Sequence, residues 1–148
     1  MTHIRQQVRD AVVTNLTGLP STGARCFPMR TYPRNDNHET ALLIYTLRET
    51  SETSAMGGAD RDLMRQITLI VEIQARGADF DDKLDQAAVD VEKAMFTNRK
   101  LGGLAIDTAL RETYLELATD RDERRGGVLV LSYLVTVEGP EGNPETVS

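Results

Sequence analysis

The chain has no tryptophan, one cysteine and two histidines among its 148 residues. A single thiol, Cys26, excludes an internal disulfide and any zinc or iron–sulfur site built from several cysteines, and it fits a reducing compartment. Long apolar runs are also missing. The longest, around Val128–Leu131, is strand-sized and far short of the roughly 18 residues a membrane-spanning helix needs. The opening residues, Met1 to Gln7, are polar and have no apolar signal-peptide core, so the chain is expected to stay where it is made. A basic surface is lacking too: the net charge is −6, whereas phosphate-backbone binding needs concentrated positive charge. Arg121, Arg124 and Arg125 form the densest basic group, but Asp120, Asp122 and Glu123 sit among them. That interleaving reads as a solvated turn whose charges suit protein contacts rather than DNA.

Catalytic signatures are equally scarce. No G-x-S-x-G elbow, Walker A loop or G-x-G-x-x-G occurs, and Gly57-Gly58 and Gly102-Gly103 lack the strand–loop–helix context of a phosphate cradle. The acidic group Asp79, Asp81, Asp82 and Asp85 lacks the glycine and terminal glutamate of an EF-hand; helix capping and dipole compensation use the same residues without a metal. His3 and His38 are the only histidines, and neither lies in a nucleophile motif. A Cys26–His38 dyad would need proximity in space; the competing reading makes Cys26 a small buried hydrophobe on a strand. Asn15-Leu16-Thr17 matches a glycosylation sequon without the secretory signal that would give it meaning. No catalytic residue, metal ligand or cofactor site is assigned.

What is present is ordinary globular composition, 40% hydrophobic and 27% charged, in a chain the size of one domain. Ile4, Val8, Ala11, Val12 and Leu16 recur at helical steps after Thr2 as N-cap, and Gly18 and Pro20 supply the stop. Ala24–Tyr32 reads as a first strand, placed at a sheet edge by Pro28 and Pro33. Thr40–Leu47 reads as a second strand, apolar on both faces at its start and so covered on both sides. Strict alternation of Leu63, Arg65, Ile67, Leu69, Val71, Ile73 and Ala75 marks a third strand ending at Gly77. Asp79 then caps a helix with the stripe Phe80, Leu84, Ala87, Ala88, Val91, Ala94 and Met95. After the connector Leu101–Leu104, strands over Ile106–Leu117 and Val128–Val137 flank the charged turn Thr119–Gly127. The order α-β-β-β-α-β-β predicts a single α+β domain over residues 1–139. Its sheet should have five strands, mainly antiparallel (mixed), with both helices on one face. Residues 140–148 hold nothing to bury and are expected to form a mobile tail.

The segment Ser51–Asp60 (SETSAMGGAD) is long for a hairpin connection. It reads either as a loose hairpin tip or as an assembly loop that orders against a neighbour. In the second reading Met56 makes a soft apolar contact, and Ser51, Gly57, Gly58, Asp60 and the adjoining Arg61 surround it.

Several stretches together resemble one family: the amphipathic helix IRQQVRDAV from Ile4; GARCFPMRTYPRNDN from Gly23; ALLIYTL from Ala41; RQITLIVEI from Arg65; the acidic-capped DFDDKLD from Asp79; LGGL from Leu101; and the closing strand. In this order, and with the P-x-x-x-Y-P-x-N-D-N run beginning at Pro28, the chain resembles the tail terminator (minor tail protein U-like) proteins of long-tailed bacteriophages and prophages. The resemblance covers most of the chain through patterns rather than catalytic signatures, and no functional residue carries over. It implies a virion tail protein assembled in the bacterial host cytoplasm, without enzymatic activity. Such a protein forms a hexameric ring on the tail tube, stops tube polymerisation and presents the head-joining surface. The implied partners are copies of itself, the tail tube protein and the head–tail connector, with neither nucleic-acid specificity nor a membrane. Two alternatives stand beside it: another adaptor of the phage neck or head–tail joint, and a small-molecule-binding or enzymatic α+β domain. The last would show a closed pocket with convergent polar groups.

Overall fold

The computed structural model describes residues 2–29, 40–55, 61–117 and 126–148. Its order is α1 (Ile4–Leu16), β1 (Cys26–Phe27), β2 (Ala41–Ala55), β3 (Asp62–Arg76), α2 (Phe80–Thr97), a 3-10 turn (Leu101–Gly103), β4 (Asp107–Leu117) and β5 (Gly126–Pro140). This is the α+β succession the sequence predicts. The sheet order is β1-β2-β3-β5-β4. All pairings are antiparallel except β1 with β2, which is parallel, so the sheet is mixed. The β1 strand lies at an edge, as expected, but spans only Cys26–Phe27 and stops before Pro28; residues 30–32 of the predicted strand, and Pro33, lie outside the described residues.

Helix α1 buries one residue every fourth position, Ile4, Val8, Val12 and Leu16, the spacing that keeps side chains on one helix face. Its N-cap is His3 rather than Thr2: the His3 Nδ1 accepts the Arg5 backbone N–H at 3.0 Å. Accepting requires a neutral ring nitrogen. Burial, then the nearby charges of Arg5 and Arg65, hold the His3 pKa below its usual 6.5, with Glu49 opposing them. Helix α2 buries Leu84, Ala87, Ala88, Val91 and Met95. Asp79 occupies its N-cap position, but the side chain makes no capping hydrogen bond and sits 3.4 Å from Lys83 Nζ instead. The first turn is left to Asp81 and Asp82, whose charges complement the helix dipole.

Both stripes pack on one sheet face, against Leu42 and Ile44 of β2, Ile67 to Ala75 at alternate positions of β3, and Leu131, Tyr133, Val135 and Val137 of β5. Truncating a fully buried member such as Leu84 to Ala removes its transfer energy and leaves a void, a cost of about 2–5 kcal/mol. The opposite face is covered at Ala41, Leu43, Ile70 and Val130, as the two-sided apolar start of β2 predicts. On that face Glu72 is half-buried, and burial first, then the neighbouring Glu116, raise its pKa.

Strand β2 is longer than its apolar run. A bulge at Leu47, between Thr46 and Arg48, resets the alternation, so Glu49 pairs with Ile67 on the helix-covered face. There it receives Arg65 Nη1 at 2.9 Å and Arg5 Nη1 at 3.3 Å. That explains how Arg65 stands inside an otherwise apolar inward series: its charge is paired. The strand then runs on through Ser51, which pairs with Arg65, to Ala55. Ser51–Ala55, read as loop from their small polar residues, are therefore strand. Strand β3 supplies a ladder partner from Asp62 onward, and backbone hydrogen bonds outweigh the low apolar content.

The C-terminal residues depart from expectation as well. Strand β5 continues through Pro140, and the segment after it turns back along the sheet end. Val147 packs against the core, where the sequence reading found nothing to bury. Pro144 O accepts the Ile4 N–H at 2.8 Å, Glu145 O accepts Gln7 Nε2 at 2.7 Å, and the Ser148 N–H donates to Glu138 O at 2.8 Å. Backbone groups, which composition does not reveal, hold this segment against α1.

Candidate functional site

The β3-α2-β4 crossover skips one position in the sheet, which β5 then fills. Strand β4 is thereby left at the margin with α2 beside it on the helix-covered face. The two elements enclose a groove of about 450 Å³ lined by Glu92, Met95, Phe96 and Arg99 of α2 and its end, Asp107 to Leu110 of β4, and Tyr133 of β5. Its walls are largely apolar and open to solvent, with Phe96 70% and Leu110 38% exposed; further along β4, beyond the groove, Leu115 is 47% and Leu117 67% exposed. Leu110, Leu115 and Leu117 pair with Tyr133, Leu129 and Gly127 of β5, which places all three on the helix side of β4. A bulge between Leu110 and Glu112 keeps them there on either side of Arg111. Val89, also exposed, precedes Phe96 by seven residues and so shares its helix flank.

Two polar groups in this groove are unsatisfied. Tyr133 and Thr108 are 3% and 7% exposed, and neither hydroxyl has a hydrogen-bond partner. Burial, and secondarily the Glu92 carboxylate, push the Tyr133 phenol well above its ordinary pKa, so it stays a neutral donor. At the mouth, the Arg99 guanidinium lies 5.0 Å from the Phe96 ring centroid and 3.8 Å from Asp107 Oδ1. The surface thus combines an apolar strip, unsatisfied hydroxyls and an edge strand that carries no further strand among the described residues. Such a combination suits docking of another chain.

Few of the contact residues singled out from sequence fall among the described ones. Ser51 lies in β2, and Arg61 Nε pairs with Glu141 Oε2 at 2.8 Å. Met56, Gly57, Gly58 and Asp60 lie outside the described residues, as do Arg121, Arg124, Arg125 and His38. Cys26 is buried. Burial raises its thiol from 9.0 to about 11, with a contact to Thr17 opposing the shift. A nucleophilic cysteine needs the opposite displacement. Among the described residues no group of three or more His, Cys, Asp or Glu could hold a metal ion, and Asp79, Asp81, Asp82 and Asp85 gather no ligand set. No helix among the described residues is long and apolar enough to cross a membrane.

The α2–β4 groove is not singled out by the sequence, which gives Ile106–Leu117 as a strand without placing it at the sheet margin. A signal was available: Asp107, Glu112 and Glu116 put charges on the outward side of this strand, as suits an edge. No protein-family model matches the chain, and no curated protein is similar enough to count as a relative.

Proposed function

We propose that the chain is a structural assembly protein of a bacteriophage virion, a tail terminator. As a hexameric ring it closes the tail tube, stops tube polymerisation and presents the surface that joins the head. The observation that carries an assembly role is the solvent-facing apolar margin of α2 and β4, beside a strand edge that no other strand covers among the described residues. A monomer that kept this surface wet would expose an aggregation-prone edge; burial against another chain removes it. The choice of terminator among assembly proteins is supported by the family resemblance of the sequence and by the α-β-β-β-α-β-β order. Its partners are then copies of itself, the tail tube protein and the head–tail connector.

The reading is tested in a phage or prophage lacking this protein. Tubes that polymerise to abnormal lengths and fail to join heads are expected, with joining restored when purified protein is added before polymerisation. Tails of normal length that stay unjoined would replace the terminator by a neck adaptor. Normal, head-joined tails would remove both.

A further inference from the structure

The β4 margin has a counterpart across the sheet. Strand β1 covers β2 only at Leu42 and Leu43. From Leu47 to Ser54 the outer side of β2 has no strand beside it among the described residues, and Leu47 is 60% exposed there. The two margins differ in charge. Beside β4, the α2 flank that carries Val89 and Phe96 also carries Asp81, Asp85 and Glu92 at helical spacing. On the helix-covered side of β2, Arg5 stands 3.3 Å from Glu49, and Arg9, one turn further along the same flank of α1, has its Nε buried without a partner; Arg48, opposite Thr68, lies at the same margin on the other face of the sheet. Glu49, paired with Arg5 and Arg65, and Glu52 on β2, and Arg99, paired with Asp107, and Arg111 beside β4 run against this trend without reversing it.

Strand directions match as well. Since β2, β3, β5 and β4 alternate in direction, β4 runs antiparallel to β2. A second copy moved along the sheet without being turned over presents its β2 antiparallel to the first copy's β4, and the helices of both stay on the same face. Rows of the sheet show the offset required. Asp107 of β4 shares a row with Thr136, Gln66 and Thr50, so the exposed part of β2 meets β4 after a stagger of about five residues, as in sheets that close with shear. An 11-residue edge is about 36 Å long, and with the helix flank beside it offers an area on the order of the 800 Å² each partner gives to a specific interface.

We infer that a second copy of this chain docks head to tail here, its basic α1/β2 margin seated on the acidic, apolar α2/β4 margin. The ladder continues between copies, Leu47 and the arginine stems cover Phe96, Leu115 and Leu117, and the groove hydroxyls face polar groups of the neighbour. This interface gives molecular content to the ring of the proposed function, yet it is tested without phage.

Two variants separate the margins. Phe96→Lys with Leu117→Lys spoils the acidic margin, and Leu47→Asp with Arg48→Glu spoils the basic one; all four positions are exposed, and unchanged circular dichroism verifies folding. In sedimentation, the unmodified chain is expected to form oligomers that dissociate as salt rises. Each variant alone should be monomeric, with dissociation constants raised at least about 100-fold. Their mixture should form a one-to-one dimer, because one intact margin of each kind remains. Oligomers in either variant alone, or a mixture that stays monomeric, would overturn the inference. So would an unmodified chain that is monomeric up to about 100 μM, a concentration at which even micromolar affinity assembles. If a double variant unfolds, the single Leu117→Lys and Leu47→Asp variants give the same comparison. Head-to-tail oligomers with normal tails in the absence of the protein would keep the interface and remove the terminator reading. Abnormal tails with a failed mixing experiment would do the reverse.

Discussion

Removing the hydroxyl of Tyr133 should stabilise the isolated chain. The side chain is 3% exposed, its ring belongs to the main core, and its oxygen has no hydrogen-bond partner. Burying an unpaired hydroxyl costs about 1–3 kcal/mol relative to leaving it in water. Tyr133→Phe deletes that cost and keeps the ring, while opening a space of only one oxygen. Some of the cost is already relieved, because the groove is open and Glu92 can turn toward the phenol. A net gain of about 1 kcal/mol is therefore expected, which raises Tm by about 2–4 °C for a domain of this size. Urea denaturation at low protein concentration, where the monomer dominates, measures it through the midpoint at constant slope. The sign carries the test. A loss larger than about 0.5 kcal/mol would mean that the hydroxyl is bonded in the folded chain, and the description of the groove would fail with it.

Other consequences concern the C-terminal segment and the thiol. A Cβ on Gly139 would collide with the Thr146 carbonyl oxygen, so Gly139→Ala should lift residues 144–148 from the sheet. The cost should be about 1–3 kcal/mol from backbone hydrogen bonds and Val147 burial, with faster amide exchange at Ile4; unchanged exchange there would detach the segment from α1. Cys26 should resist alkylation at pH 8 in the folded chain and react on unfolding, because its thiol is raised from 9.0 to about 11. The folded state then binds that proton more tightly than the unfolded state, so the contribution to stability is complete below pH 9 and is lost as pH rises toward 11. A denaturation midpoint that climbs with pH across this window would reverse the assignment.

Most of the fold was legible in the sequence because it rests on periodicity. The every-fourth apolar positions of α1, the stripe of α2 and the alternation from Leu63 to Ala75 each report burial on one face, and burial is what their packing reflects. Boundaries were less legible where backbone pairing rather than side-chain character decides. Ser51–Ala55 are polar and still strand, since β3 offers them a ladder. The bulge at Leu47, which brings Glu49 to Arg65, does not show in the apolar alternation. His3 displaced Thr2 as the cap because an imidazole nitrogen reached the Arg5 N–H. The candidate site was the least legible part. An exposed Leu115 and a buried Leu131 look the same in a strand pattern, and only the sheet order, with β5 inserted between β3 and β4, tells them apart.

The two margins also show how an edge with no strand beside it among the described residues can avoid indiscriminate pairing. Each carries the tetrapeptide Leu-Arg-Glu-Thr, at Leu47–Thr50 in β2 and Leu110–Thr113 in β4, and each has its bulge there. A bulge interrupts the regular ladder and twists the strand, and flanking charges oppose flat stacking of like edges. Two β4 edges brought together would oppose Glu112 and Glu116 to one another and crowd the acids of two α2 flanks. Two β2 edges would likewise oppose their arginines. Pairing unlike margins places Asp81, Asp85 and Glu92 on the same face as Arg5 and Arg9 and covers leucines on both sides. Like-with-like contact is thus disfavoured by charge, whereas head-to-tail contact is favoured by both charge and apolar burial. A heterologous contact of that kind leaves one margin of each sort free at every step, and it stops only when the rotation between copies closes a ring.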